Sequence, residues 1–281
     1  MLKTRVRTAL VLLVVLLAAL FWLPPPAWAL FAGVLLVPAA WEWGRLIGLP
    51  RVACGLYVLI VAAVCAVLFG LVQAETPASH SGLRAGGLQL GVYLAASLFW
   101  MVAVPLWLWR SWLPRNRALA GLTGLLVLVP TWLALVDLRK LGPLLLLLLL
   151  SVAWISDTAA YFAGRRFGRH KLAPSISPGK TWEGVGGAML AVGVYAVLWN
   201  FAWSAYFPQA LKSMRFGAFA MVLFLWLLTA IGIYGDLFES ALKRRAGVKD
   251  SGALLPGHGG VLDRIDALTS VLPVAALVYL L

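Results

Sequence analysis

Nine apolar stretches limit what this chain can fold into. They cover residues 8–23, 27–48, 52–73, 88–109, 118–137, 141–164, 184–204, 216–241 and 266–281. An α-helix needs about 20 predominantly apolar residues to cross a hydrocarbon core of about 30 Å. Most of the stretches reach that length, and the first and last are short. The expected fold class is an all-α polytopic integral membrane protein with about nine transmembrane helices. No internal repeat or low-complexity linker divides the chain. It therefore reads as a single membrane domain over 1–281, with an N-terminal transmembrane region at 1–150 and a second transmembrane region at 151–281 that carries the long segments 165–183 and 243–263.

Composition agrees with that class. Hydrophobic residues make up 63% of the chain and charged residues 12%, whereas a soluble domain is about half apolar and about one quarter charged. The formal net charge is +13. In a membrane protein such an excess belongs first to cytoplasmic loops, so it does not indicate nucleic-acid binding. With the N-terminus in the cytoplasm and the spans alternating, 18 of the 23 Lys and Arg residues fall inside and five outside. That is the bias of the positive-inside rule. The discordant segment is Asp137-Leu138-Arg139-Lys140, which this topology puts outside. Lys3, Arg5 and Arg7 precede the first apolar run, and Ala27-Trp28-Ala29 resembles a signal-peptidase site. The preferred reading is a retained first helix followed by a turn at Pro24-Pro25-Pro26. Cys54 and Cys65 share one apolar run, so neither a disulfide framework nor a zinc site is indicated.

The chemistry concentrates near the C-terminus. Residues 234–266 hold five of the ten acids, namely Asp236, Glu239, Asp250, Asp263 and Asp266. Lys243, Arg244, Arg245, Lys249, Arg264 and His258 are interleaved with them. Ionisable groups at membrane depth are costly and default to a functional reading. Two long basic segments, 165–183 and 243–263, are each preceded by a helix carrying an acid, Asp157 and Asp236 respectively. Together they suggest one site at the cytoplasmic membrane face. Asp236, Glu239, Ser240 and Lys243 fall at i, i+3, i+4 and i+7 and share one helical face. Asp263 and Asp266 are likewise i, i+3. Carboxylates completed by water and substrate phosphates describe a Mg2+ site, and two bridged cations would serve an in-line displacement at phosphorus. The competing reading is ion pairing, Asp236 with Lys243 and Asp263 with Arg264.

Other positions are weighed in the same way. His258 sits between glycines, which suits contact with a phosphate or a metal-bound water; the plainer reading is a chain reversal. Gly179-Lys180-Thr181 looks like part of a P-loop, but Pro174 stands where the motif requires its upstream glycine. Lys180 and Thr181 remain candidates for holding phosphates near a helix start, against a reading of Lys180 as a snorkelling lysine. Asp157 is either a site residue or a helix-pairing acid. Glu42, between Trp41 and Trp43, reads as interfacial with no chemistry.

Ser240-Ala241-Leu242-Lys243-Arg244-Arg245, then Asp250, then Pro256-Gly257-His258-Gly259-Gly260-Val261-Leu262-Asp263-Arg264-Ile265-Asp266 resembles the motif of phosphatidate cytidylyltransferases, the bacterial CDP-diacylglycerol synthases. Asp157-Thr158-Ala159-Ala160-Tyr161, the segment from Ser177 to Gly184, and Gly235-Asp236-Leu237-Phe238-Glu239-Ser240 resemble further family segments in the same order. The resemblance implies transfer of a cytidylyl group from CTP to phosphatidic acid, giving CDP-diacylglycerol and pyrophosphate. It implies Mg2+, alone or with a second cation, held by Asp236 and Asp263 with Glu239 and Asp266 in support. Asp236, Asp263, Lys243, Arg264 and His258 are the expected catalytic residues. Ser177, Lys180, Thr181, Glu183, Arg244, Asp157 and Ser240 are expected on the substrate side. The implied partners are CTP, phosphatidic acid and the bilayer of a bacterial inner membrane, with no nucleic acid; a homodimer is compatible with this reading. The rival functions are a CTP-dependent lipid-alcohol kinase and, from another class, a secondary transporter with carboxylate relays.

Overall fold

A computed structural model describes residues 2–75, 86–114, 116–206, 217–255, 257 and 259–281. The helices are α1 (Leu2–Trp22), α2 (Pro25–Leu46), α3 (Arg51–Glu75), α4 (Gly87–Leu98), α5 (Val104–Trp109), α6 (Arg117–Leu141), α7 (Pro143–Phe167), α8 (Trp182–Tyr206), α9 (Ala218–Arg245) and α10 (Leu262–Leu280). A π-helical turn, Phe99–Ala103, joins α4 to α5 into one rod. Among the described residues, the body of each of the nine apolar stretches is therefore helical. Seven of the described helices are long and apolar enough to cross a membrane, from Pro25–Leu46 to Ala218–Arg245. In α1 the apolar part is the shorter Arg7–Trp22. The chain is an all-α polytopic membrane protein.

Prolines punctuate the bundle. Pro25 and Pro143 start helices, where a missing N–H costs nothing. Pro105 lies inside the fourth rod, and its ring competes for space with the carbonyl four residues back. The wider π turn directly before it accommodates that clash. The turn also gathers rings around Phe238 of α9: the centroids of Phe99, Trp100 and Trp107 lie 5.8, 5.6 and 6.2 Å from it, and Trp43 of α2 lies at 6.3 Å. Aromatic pairs at such separations add to the burial energy. They fix the rotation of α9 one residue before Glu239.

Helix α9 packs along α8 and α10, α10 along α6 and α4, and α2 along α6 and α3. Interhelical hydrogen bonds set the registers in the N-terminal half. The indole N–H groups of Trp43, Trp28 and Trp132 donate to Ala120 O, Leu135 O and Ala29 O, each at 3.0 Å. Lipid-facing helices gain little hydrophobic drive from one another, so such bonds and close packing carry the association.

The discordant segment of α6 is internally satisfied. Asp137 is buried and accepts from Tyr93 Oη at 2.7 Å, from Lys140 Nζ at 3.1 Å and from Gln89 Nε2. Arg139 donates to Leu20 O at 3.0 Å and to Leu23 O, and lies over the Trp28 ring.

The segment after α7, read from the sequence as a plain loop, is a hairpin. Strand β1 (Lys171–Ala173) pairs antiparallel with β2 (Ser177–Thr181), placing Lys171 opposite Thr181 and Ala173 opposite Ser177. Pro178 argues against a strand in a sequence reading, but the short edge strand β2 tolerates it, and Pro174 lies in the turn between the strands.

Candidate active site

Helix α9 presents Asp236, Glu239, Ser240 and Lys243 along one face, as their spacing requires. Lys243 Nζ sits between Glu239 Oε2 at 2.8 Å and Asp263 Oδ1 at 2.6 Å, joining α9 to the first turn of α10. Asp263 Oδ2 accepts the N–H groups of Ser251 at 2.9 Å and Gly260 at 2.8 Å. Gly259 has φ of 80°, and a Cβ there would stand 2.7 Å from that carboxylate oxygen. The turn can close over Asp263 only because this residue is glycine.

The ion pairs differ from those expected. Lys243 takes Glu239, one turn away at i, i+4, rather than Asp236, two turns away. Asp263 takes Lys243 rather than Arg264, whose side chain is exposed. Asp236 is met from the hairpin, with Lys180 Nζ 2.5 Å from its Oδ2, while Ser240 Oγ donates to its Oδ1 at 3.2 Å.

Lys180 arrives there because β2 leads directly into α8. Thr181 is buried and its Oγ1 accepts the Gly184 N–H at 3.1 Å, capping that helix. Glu183 lies with His170, accepting from its backbone N–H and sharing a 2.7 Å hydrogen bond with its ring. Arg244 Nε donates to Ile176 O at 3.2 Å, so the two basic segments meet. A cavity of about 430 Å³ opens between α7, the hairpin and α9, lined among others by Asp157, Ser177, Lys180, Thr181 and Asp236. Asp157 is in electrostatic range of Asp236, Lys180 and Arg264, and Asp266 is in range of Asp236, Glu239 and Asp157. The structure thus brings together Asp157, Lys180, Asp236, Glu239, Lys243, Asp263, Arg264 and Asp266. His258 lies outside the described residues.

Counted as fully ionised, Asp157, Asp236, Glu239, Asp263 and Asp266 face Lys180, Lys243 and Arg264. Acids outnumber bases in the cluster, so the site favours a bound cation or proton. Glu239 Oε1 is buried without a hydrogen-bond partner, a costly state for a carboxylate oxygen. Among the described residues, no three acidic, His or Cys side chains converge tightly enough to cage a metal by themselves. Hard oxygen donors with an orphaned oxygen still fit Mg2+, which keeps several waters and takes substrate phosphates as ligands.

Sequence reasoning missed Glu42. It is 4% exposed, buried within the protein, and it has partners where the sequence reading gave it no role. Its carboxylate accepts from Ser251 Oγ at 2.9 Å, Val261 N at 3.0 Å and Leu262 N at 2.8 Å. The available signal was an acid within an apolar helix, the kind of residue that defaults to a role.

The sequence of this chain is similar to those of known proteins. A phosphatidate cytidylyltransferase of Pseudomonas aeruginosa is 42% identical across 98% of this chain and 96% of its own. One of Haemophilus influenzae is 35% identical across 99% of both chains. One of Thermotoga maritima is 43% identical over 50% of this chain and 51% of its own. The sequence model of the cytidylyltransferase family covers residues 3–281, and the chain belongs to that family.

Proposed function

We propose that this protein transfers the cytidylyl group of CTP to phosphatidic acid, yielding CDP-diacylglycerol and pyrophosphate for phospholipid synthesis. The observation that carries the reading is full-length similarity to relatives named phosphatidate cytidylyltransferase, joined to a charged cluster built on membrane helices. A phosphate oxygen of the lipid attacks the α-phosphorus of CTP. A new P–O bond forms, the bond from that phosphorus to the oxygen bridging to the β-phosphorus breaks, and pyrophosphate leaves. Lys180 and Arg264 hold phosphates, and Lys243 keeps Glu239 and Asp263 in place. Asp236 and Asp263, with Glu239 and Asp266, are the oxygen donors for Mg2+, which when bound supplies charge neutralisation at the phosphates. No enzyme nucleophile is needed; positioning and electrostatics carry the rate. A depression of about 1410 Å³ beside α2 and α3 ends on the Ser251 segment and offers room for acyl chains.

The deciding experiment incubates purified protein with phosphatidic acid, CTP labelled at the α- or γ-phosphorus, and Mg2+. Label from the α-phosphorus in lipid, with pyrophosphate released, is the expected result. In a parallel incubation with diacylglycerol in place of phosphatidic acid, CDP as the product with γ-label in lipid would establish the lipid-alcohol kinase instead.

The site is assigned to the cytoplasmic face of a bacterial inner membrane, on the strength of the Lys and Arg bias. Lys249 is exposed, whereas Cys54 and Cys65 are buried. A Lys249→Cys variant should therefore react with an impermeant maleimide only after cells are opened. Labelling of intact cells would reverse the topology.

A further inference from the structure

Glu42 stands apart from the acids that the proposed reaction uses. It comes from α2, yet all three of its donors belong to the segment that delivers Asp263. Oε2 takes Ser251 Oγ and Leu262 N, and Oε1 takes Val261 N. Helix α10 starts at Leu262, and Val261 at its N-cap position makes no side-chain capping bond. The first N–H groups of a helix need partners, and a carboxylate at that end is also favoured by the helix dipole. Glu42 supplies both from a distant helix. The fit depends on missing side chains: a Cβ at Gly252 would stand 2.3 Å from Glu42 Oε1, and one at Gly260 2.5 Å from Oε2.

Two carboxylates share this backbone. Ser251 gives its hydroxyl to Glu42 and its N–H to Asp263. Gly260 gives its N–H to Asp263, and the next two N–H groups go to Glu42. Residues 251 and 260–262 are thus clamped between Glu42 and Asp263, and where Asp263 points follows from where Glu42 holds the clamp.

We propose that Glu42 is a positioning residue of the cytidylyl transfer: without touching substrate, it fixes Ser251 and residues 260–262 so that Asp263 meets Lys243 and faces the reacting phosphates. The inference rests on the transferase reading above. The test uses the full-length protein in detergent with phosphatidic acid, CTP and Mg2+, as wild type and as Glu42→Gln, Glu42→Asp and Ser251→Ala. Glutamine keeps the size but turns an accepting oxygen into a donor that faces donors. Expected for Glu42→Gln is a fall in kcat per folded molecule of roughly 10–100-fold, as for other residues that orient a site from behind, with the CTP KM nearly unchanged. Aspartate should recover part of the loss, and amide hydrogen exchange at Val261 and Leu262 should quicken in the glutamine variant. Ser251→Ala deletes one bond to Glu42 and keeps the N–H to Asp263; it should show a smaller fall in kcat at the same KM, and it decides the matter if Glu42→Gln does not fold. An unchanged kcat per folded molecule overturns the proposal, even if the melting temperature drops. A wild type that makes no CDP-diacylglycerol would instead sink the transferase reading, and unchanged amide exchange would still overturn the clamp.

Discussion

Asp263→Asn should abolish turnover while leaving a folded protein. Asparagine has nearly the same size and retains one oxygen, which can still accept from Ser251 N or Gly260 N. It loses the charge that Lys243 meets at 2.6 Å and the charged oxygen that a hard cation prefers. Losing even one preorganised electrostatic contact to a transition state costs about 10²–10³-fold in rate. Lys243 keeps Glu239 as a partner, which limits the structural damage. Mg2+-dependent CDP-diacylglycerol formation and the melting temperature in detergent should be measured side by side. Near-normal specific activity with a lowered melting point would show that Asp263 serves the fold alone.

Lys180→Ala should weaken the use of CTP far more than it weakens the fold. Lys180 and Asp236 are each about one quarter exposed, at 25% and 27%, so their pair contributes little to stability in partly solvated surroundings. The same ammonium stands in the wall of the 430 Å³ cavity, where it can hold a phosphate in ground and transition states alike. A charge-assisted hydrogen bond is worth about 1.5–3 kcal/mol, which corresponds to about a 10–100-fold rise in the CTP KM. Steady-state kinetics with varied CTP at saturating lipid reads this directly. An unchanged KM together with an unchanged kcat would remove Lys180 from the site.

The parts of this fold that were legible in the sequence are those set by local periodicity. Length and apolarity mark each helical rod, and the i, i+3, i+4, i+7 spacing puts Asp236, Glu239, Ser240 and Lys243 on one face. Spacing along one helix does not choose partners on another. Asp236 pairs with Lys180, 56 positions upstream; the two basic segments with their helix-borne acids suggest one shared site, but not this contact. The hairpin escaped because its strands are three and five residues long and carry Pro178, too little for an alternation to register. Glu42 escaped for a related reason. A single acid between two tryptophans has the look of an interfacial residue, and nothing nearby in sequence reveals that its donors begin at Ser251.

That last separation bears on how the protein is made. The partners of the Asp137–Arg139 cluster outside α6, Leu20, Leu23, Trp28, Gln89 and Tyr93, all precede it in the chain. When those charges emerge from the ribosome, what neutralises them already exists. Glu42 is in the opposite position, since its donors are synthesised 209, 219 and 220 residues later. At about 5–20 residues per second of translation, its carboxylate waits roughly 10–40 s for the hydroxyl and amides that satisfy it. Until then the Glu42 carboxylate of α2 lacks the donors that hold it in the folded protein. The catalytic end of the bundle is therefore completed only when the last helix arrives, and a ribosome that stalls before residue 250 leaves a nascent chain with one end locked and the other open.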